Sequence, residues 1–76
     1  MTIFNVSAHW DSEARVWWAE SPDIAGFVAE SETHDGLVAE IRLLVPELLA
    51  ANFPDKKFET IQVKLVSDQI EELNYA

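Results

Sequence analysis

Ile3-Phe4-Asn5-Val6-Ser7-Ala8-His9-Trp10, followed after Asp11-Ser12-Glu13-Ala14 by Arg15-Val16-Trp17-Trp18-Ala19-Glu20, is the stretch that decides the fold. Strand side chains alternate between two faces, so a period of two marks a half-buried strand. Phe4, Val6, Ala8 and Trp10 share one parity, and Asn5, Ser7 and His9 share the other. The even residues of the first segment therefore point inward. Asp11 to Ala14 is a polar connection, and Arg15 to Glu20 resumes in residues of high strand propensity, which predicts a β-hairpin. In the second strand Trp17 goes with Ala19, and Val16 goes with Trp18. Both faces thus carry a tryptophan, and one indole lies away from the covered side. The sequence leaves open which.

Working outward, Ser21-Pro22-Asp23-Ile24-Ala25-Gly26 breaks the alternation with Pro, Asp and Gly and predicts a turn. Phe27 to Glu30 predicts a short third strand. Thr33 is placed to cap a helix, and Asp35 suits its first turn, where the helix dipole favours a negative charge. At ~100° per residue, Leu37, Val38, Ile41, Leu44, Val45, Leu48 and Leu49 form one apolar stripe, which predicts a helix from His34 to Asn52. Pro46 lacks the N–H that would bond to the Arg42 carbonyl, so a kink, or the end of one segment near Val45, is expected. Phe53-Pro54-Asp55 predicts a loop. Phe58 to Val66 predicts the last strand, with Ile61, Val63 and Leu65 on one face and Thr60, Gln62 and Lys64 on the other. Asp68 to Ala76 is an acidic tail, expected to form one frayed helical turn or to stay mobile. The order is β-β-β-α-β. The predicted class is α+β, a small antiparallel-rich sheet covered on one face by one helix, in a single domain over residues 1–76.

Size and charge narrow the function. A chain of 76 residues buries only ~60% of the surface its unfolded form exposes, so its own core is marginal. It has no cysteine, hence no disulfide and no thiolate metal site. Association with further copies is the remaining source of stability, and a homo-oligomer is expected. Fourteen acidic residues against five basic ones give a net charge of −9, which disfavours direct nucleic-acid binding, since phosphates must be met by Lys and Arg. Neither a signal-peptide pattern nor an apolar run of membrane-spanning length occurs, so a cytoplasmic protein is expected.

The run Ala8-His9-Trp10-Asp11-Ser12-Glu13-Ala14-Arg15-Val16-Trp17-Trp18-Ala19-Glu20-Ser21, continuing Pro22-Asp23-Ile24-Ala25-Gly26-Phe27-Val28, resembles the small bacterial proteins grouped as domain of unknown function 1902. Those are in turn similar to the amino-terminal domain of HicB antitoxins. An aromatic second strand, a Pro/Asp-rich turn ending in Gly, a short strand and a helix carry the likeness, together with the Val45-Pro46-Glu47-Leu48-Leu49 segment. The resemblance covers roughly Ile3 to Leu65. It implies a degraded ribonuclease-H-like fold and a role in masking a small basic RNA-cleaving toxin of the HicA type. Ala25 stands where the turn usually carries a second proline. Only a short segment follows Ser67, in place of the DNA-binding domain of full antitoxins, so operator binding is not implied.

No catalytic constellation is legible. The inward positions of the first strand are Phe4, Val6, Ala8 and Trp10, where a ribonuclease-H-like metal site would need a carboxylate. His9 reads as an outward surface histidine, and His34-Asp35 as the ordinary opening of a helix. No cofactor and no metal are expected. The expected function is that of a non-catalytic, antitoxin-like protein-binding module. The alternative is a stand-alone structural or small-ligand-binding oligomer without a toxin partner. Candidate contact residues are Trp17 and Trp18, since tryptophan is enriched at interface hot spots. Leu43, on the back of the helix, is a third. Thr60, Gln62 and Lys64 complete the set, on a strand that offers an edge.

Overall fold

The computed structural model describes residues 2–75. Met1, and Ala76 at the end of the expected tail, lie outside the described residues. The elements are β1 (Thr2–Asp11), β2 (Val16–Glu20), β3 (Val28–Ser31), α1 (His34–Asn52) and β4 (Ile61–Asp68). They form a four-stranded sheet in the order β3-β2-β1-β4. β1 pairs antiparallel with β2 and β2 antiparallel with β3, while β4 returns parallel to β1. The expected α+β order is the observed one, and the sheet stays open at both edges.

The parity of β1 holds. Phe4, Val6 and Ala8 are buried, and they meet Ala19, Ala29, Ile24 and Phe27 beneath the helix stripe Leu37, Ile41, Val45 and Leu49. Fully burying one such aliphatic side chain is worth roughly 1.5–3 kcal/mol, so these positions carry the fold. Thr33 caps α1 as expected: its Oγ1 accepts from Gly36 N at 2.9 Å. Gly36 has a packing reason of its own, because a Cβ there would collide with the Ser31 hydroxyl.

The hairpin connection is held by Asp11, whose Oδ1 accepts from the backbone N–H groups of Glu13 and Ala14. Its carbonyl accepts from Arg15 N at 2.7 Å. Arg15 closes this turn with φ of 58°, so β2 starts at Val16 and not at Arg15. The Pro-Asp-Ile turn is stapled to β1. Asp23 Oδ2 accepts from Asn5 N at 2.7 Å and from Asn5 Nδ2 at 3.0 Å, and Ser21 Oγ donates to the Asn5 carbonyl at 2.6 Å. The β1–β2 ladder reaches only Ser7 opposite Glu20, and the Asp23 and Ser21 side chains serve the backbone of Asn5 beyond it. Ile24 fills the core from the same turn, Gly26 takes φ of 77°, and Asn52 Nδ2 donates to the Ala25 carbonyl.

Three further expectations need correction. Pro46 does not end a segment near Val45: α1 is one helix from His34 to Asn52. Pro46 and Arg42 both lie on its exposed side, where water can serve the carbonyl that the proline leaves unpaired. The last strand runs Ile61–Asp68, not Phe58–Val66. Among the described residues its only ladder partner is β1, and that ladder opens at Thr2 opposite Ile61 and closes at His9 opposite Asp68. Phe58 instead packs edge-on against Phe4 and Phe53, with ring centroids 6.0 and 6.2 Å away. Likewise the third strand begins at Val28, because Phe27 is turned into the core. Residues 69–75 form no regular element.

Candidate functional site

The helix covers one side of the sheet. On the other side the ladders bring Glu30, Trp18, His9 and Asp68 into one row across all four strands. His9 and Trp18 stand opposite each other on β1 and β2 with ring centroids 4.6 Å apart and planes tilted by 40°. The imidazole is held at one nitrogen: Nδ1 lies 3.0 Å from Asp68 Oδ2, while Nε2 faces Glu20 Oε2 at 4.0 Å, beyond hydrogen-bond reach. Glu30 and Asp68 end the row, Glu20 and Asp11 neighbour it, and Lys64 is the one lysine on this face. The result is a half-buried aromatic centre with an acidic rim.

The two neighbouring tryptophans thus separate. Trp17 faces the helix, lodged between Trp10 at 5.6 Å and His34 at 4.9 Å between ring centroids. There it borders the core, and His34 Nε2 reaches Ser67 Oγ at 2.8 Å. Trp18 is the indole on the open face. It is half-buried, not bare as a free tryptophan on a sheet face would be, because His9 lies over it.

The remaining candidates are dispersed. Leu43 stands alone on the back of α1, 66% exposed. Gln62 and Lys64 lie exposed on the open face of the edge strand β4, and Thr60 precedes that strand. A second surface escaped the sequence reading. The backbone of α1 comes closest to β3 and β2 and leaves the helix side of β4 only partly covered, with Ile61 and Leu65 half-buried there. A groove of about 320 Å³ results, walled by Val38, Ile41, Val45 and Pro46 from α1 and by Ile61, Val63 and Leu65 from β4, with Arg42 at its rim. Among the described residues no group of three or more His, Cys, Asp or Glu is arranged to hold a metal ion, and no helix is long and apolar enough to cross a membrane.

An open mixed sheet backed by a single helix, with an aromatic and acidic free face, defines a small α+β domain of β-β-β-α-β order. The chain belongs to the family described as Domain of unknown function (DUF1902), whose model matches residues 3–75. A similar solved structure is that of a hypothetical protein, TTHA1013, from the extremely thermophilic bacterium Thermus thermophilus. It is 36% identical, the match covers 96% of this chain and 99% of that one, and the TM-score is 0.69. No curated protein matches the chain.

Proposed function

We propose that the chain is a non-catalytic protein-binding module, and that its open sheet face receives a small basic protein. The observation that supports this is the row Glu30–Trp18–His9–Asp68, an aromatic pair framed by carboxylates on an otherwise uncovered face. Interfaces concentrate energy in central aromatic side chains and set partner choice with charge at the rim. A net charge of −9 draws a basic partner and repels an acidic one. Inward positions that a hydrolase would fill with carboxylates hold Phe4, Val6 and Ala8. The resemblance to the amino-terminal domain of HicB antitoxins gives the partner a chemical class: a short basic RNA-cleaving toxin, masked in the cytoplasm by an oligomer of this chain.

Co-expression with the product of the adjacent reading frame tests the reading. A short basic neighbour should co-purify with the chain, lose its toxicity in its presence, and separate from the Trp18→Ala variant. A genome in which no such neighbour exists, or a neighbour that binds Trp18→Ala as well as the native chain, contradicts it.

A further inference from the structure

We infer that the groove between α1 and β4 binds a long aliphatic monocarboxylate, with its carboxylate on Arg42 and its methylene chain along the apolar walls. This site lies on the helix side of the sheet, opposite the Trp18 face. It goes beyond the protein-binding reading, and either can fail without the other.

The groove does not stop at Pro46. A second hollow of about 340 Å³ continues it past Leu49, Ala50 and Phe58, and the two share Pro46 and Ile61 as a common wall. Between Val38 and Ala50 the helix side of this trough runs about 18 Å, at roughly 1.5 Å per residue. Each hollow by itself falls in the size range of small-molecule sites, roughly 300–1,000 Å³. Branched aliphatic side chains line the first hollow, and Phe58 lies at the far end of the second. An elongated aliphatic wall fits a flexible methylene chain better than a planar ring. Val63 is 37% exposed on it, apolar surface that a bound chain takes out of water.

Charge selects the head group. The chain has five cationic side chains against fourteen acidic ones, yet Arg42 and Lys56 both stand on this trough. Residues three and four apart are the neighbours that pair on a helix. For Arg42 these are Val38, Ala39, Val45 and Pro46, and none carries a charge. Among the described residues neither cation has a carboxylate within 4.0 Å. Lys56 already lies over the Phe58 ring at 5.3 Å, and Glu59 lines the same hollow and repels an anion. Arg42 is the better seat. Its planar fork matches the two oxygens of a carboxylate. A net charge of −9 disfavours a multiply charged head group, so one negative charge is the right number. With the head at Arg42, the walls from Val45 to Ala50 and Phe58 are left for the chain.

NMR titration of the isotope-labelled full chain with octanoate, decanoate and dodecanoate, each below its micelle concentration, tests the inference. Affinity should rise about two- to fourfold per added methylene, the upper figure corresponding to full burial of the group. Decyltrimethylammonium, with the chain of decanoate's length and the opposite charge, should not bind. Arg42→Gln, at an exposed position, should weaken decanoate about tenfold and leave decanol unchanged, and Arg42→Lys should recover part of the loss. Val63→Glu should remove binding of both while the circular dichroism stays that of the native chain. Intermolecular contacts should join the ligand methylenes to the Val45, Ile61 and Val63 methyl groups. No binding overturns the inference, as does an affinity indifferent to chain length or to head-group charge. So do ligand contacts on the Trp18 face, or a free protein whose groove is already filled by Ile70 and Leu73 or by a second copy.

Discussion

His9 and Trp18 face each other across the β1–β2 ladder, imidazole over indole at 4.6 Å, with Asp68 holding the imidazole Nδ1 at 3.0 Å. His9 therefore ties three strands through two contacts on the side of the sheet that the helix leaves free. It also leaves the indole partly covered, which suits a binding surface, because less side-chain freedom is lost when a partner arrives.

Replacing Trp18 with alanine should separate binding from folding. A fully buried tryptophan costs ~3–5 kcal/mol on truncation. Trp18 is half-buried on the open face, so about 1–2 kcal/mol is expected, read from urea denaturation. Affinity for the basic partner should fall by a factor of thirty or more, the scale of roughly 2 kcal/mol seen at hot spots. Trp17→Ala, between Trp10 and His34, should show the opposite balance: the larger stability loss and the smaller binding loss.

The turn after β2 should behave as a structural staple. Ile24→Ala removes a side chain that is wholly buried and is expected to cost about 2–5 kcal/mol, in the range of core truncations. Asp23→Ala removes two hydrogen bonds to Asn5 on the exposed side, and about 1 kcal/mol is expected. Chemical denaturation of both variants reads the difference. Equal effects would mean that the turn is not organised as described.

Pro46→Ala should stabilise the chain. The helix already runs through position 46, so alanine restores a hydrogen bond to the Arg42 carbonyl and removes the ring clash. A gain of about 1–3 kcal/mol is expected, measured as a higher denaturation midpoint. A loss would show that the proline ring contributes more as a wall of the groove than it costs the helix.

Elements defined by their own periodicity were legible in the sequence. The inward parity of Phe4, Val6 and Ala8, the cap at Thr33 and the span His34–Asn52 all follow from local pattern, and the structure has them where the pattern puts them. What depends on a neighbour was not. β4 takes its limits from the length of β1, so Phe58 fell out of the strand and Asp68 came into it. Once Asp68 reads as tail, the row through His9 cannot be seen. Trp17 and Trp18 could not be told apart because each parity of β2 carries an indole. The groove beside β4 arises from the lean of α1 toward β3, which no stretch of sequence encodes by itself.

Salt should weaken the proposed contact. Attraction between this acidic chain and a basic partner falls as ions screen it. Following the complex through a salt series should show affinity dropping as the salt concentration rises, and an affinity indifferent to salt would contradict the role given to charge.

The place where a partner touches the molecule is the most direct test of all. Titrating the isotope-labelled chain with the proposed partner, a short basic protein found in the adjacent reading frame, should move the Trp18 indole, His9, Glu20 and Glu30 resonances first. Shifts confined to Leu43 and the back of α1, or a spectrum that does not change, would contradict a binding face on the open side of the sheet.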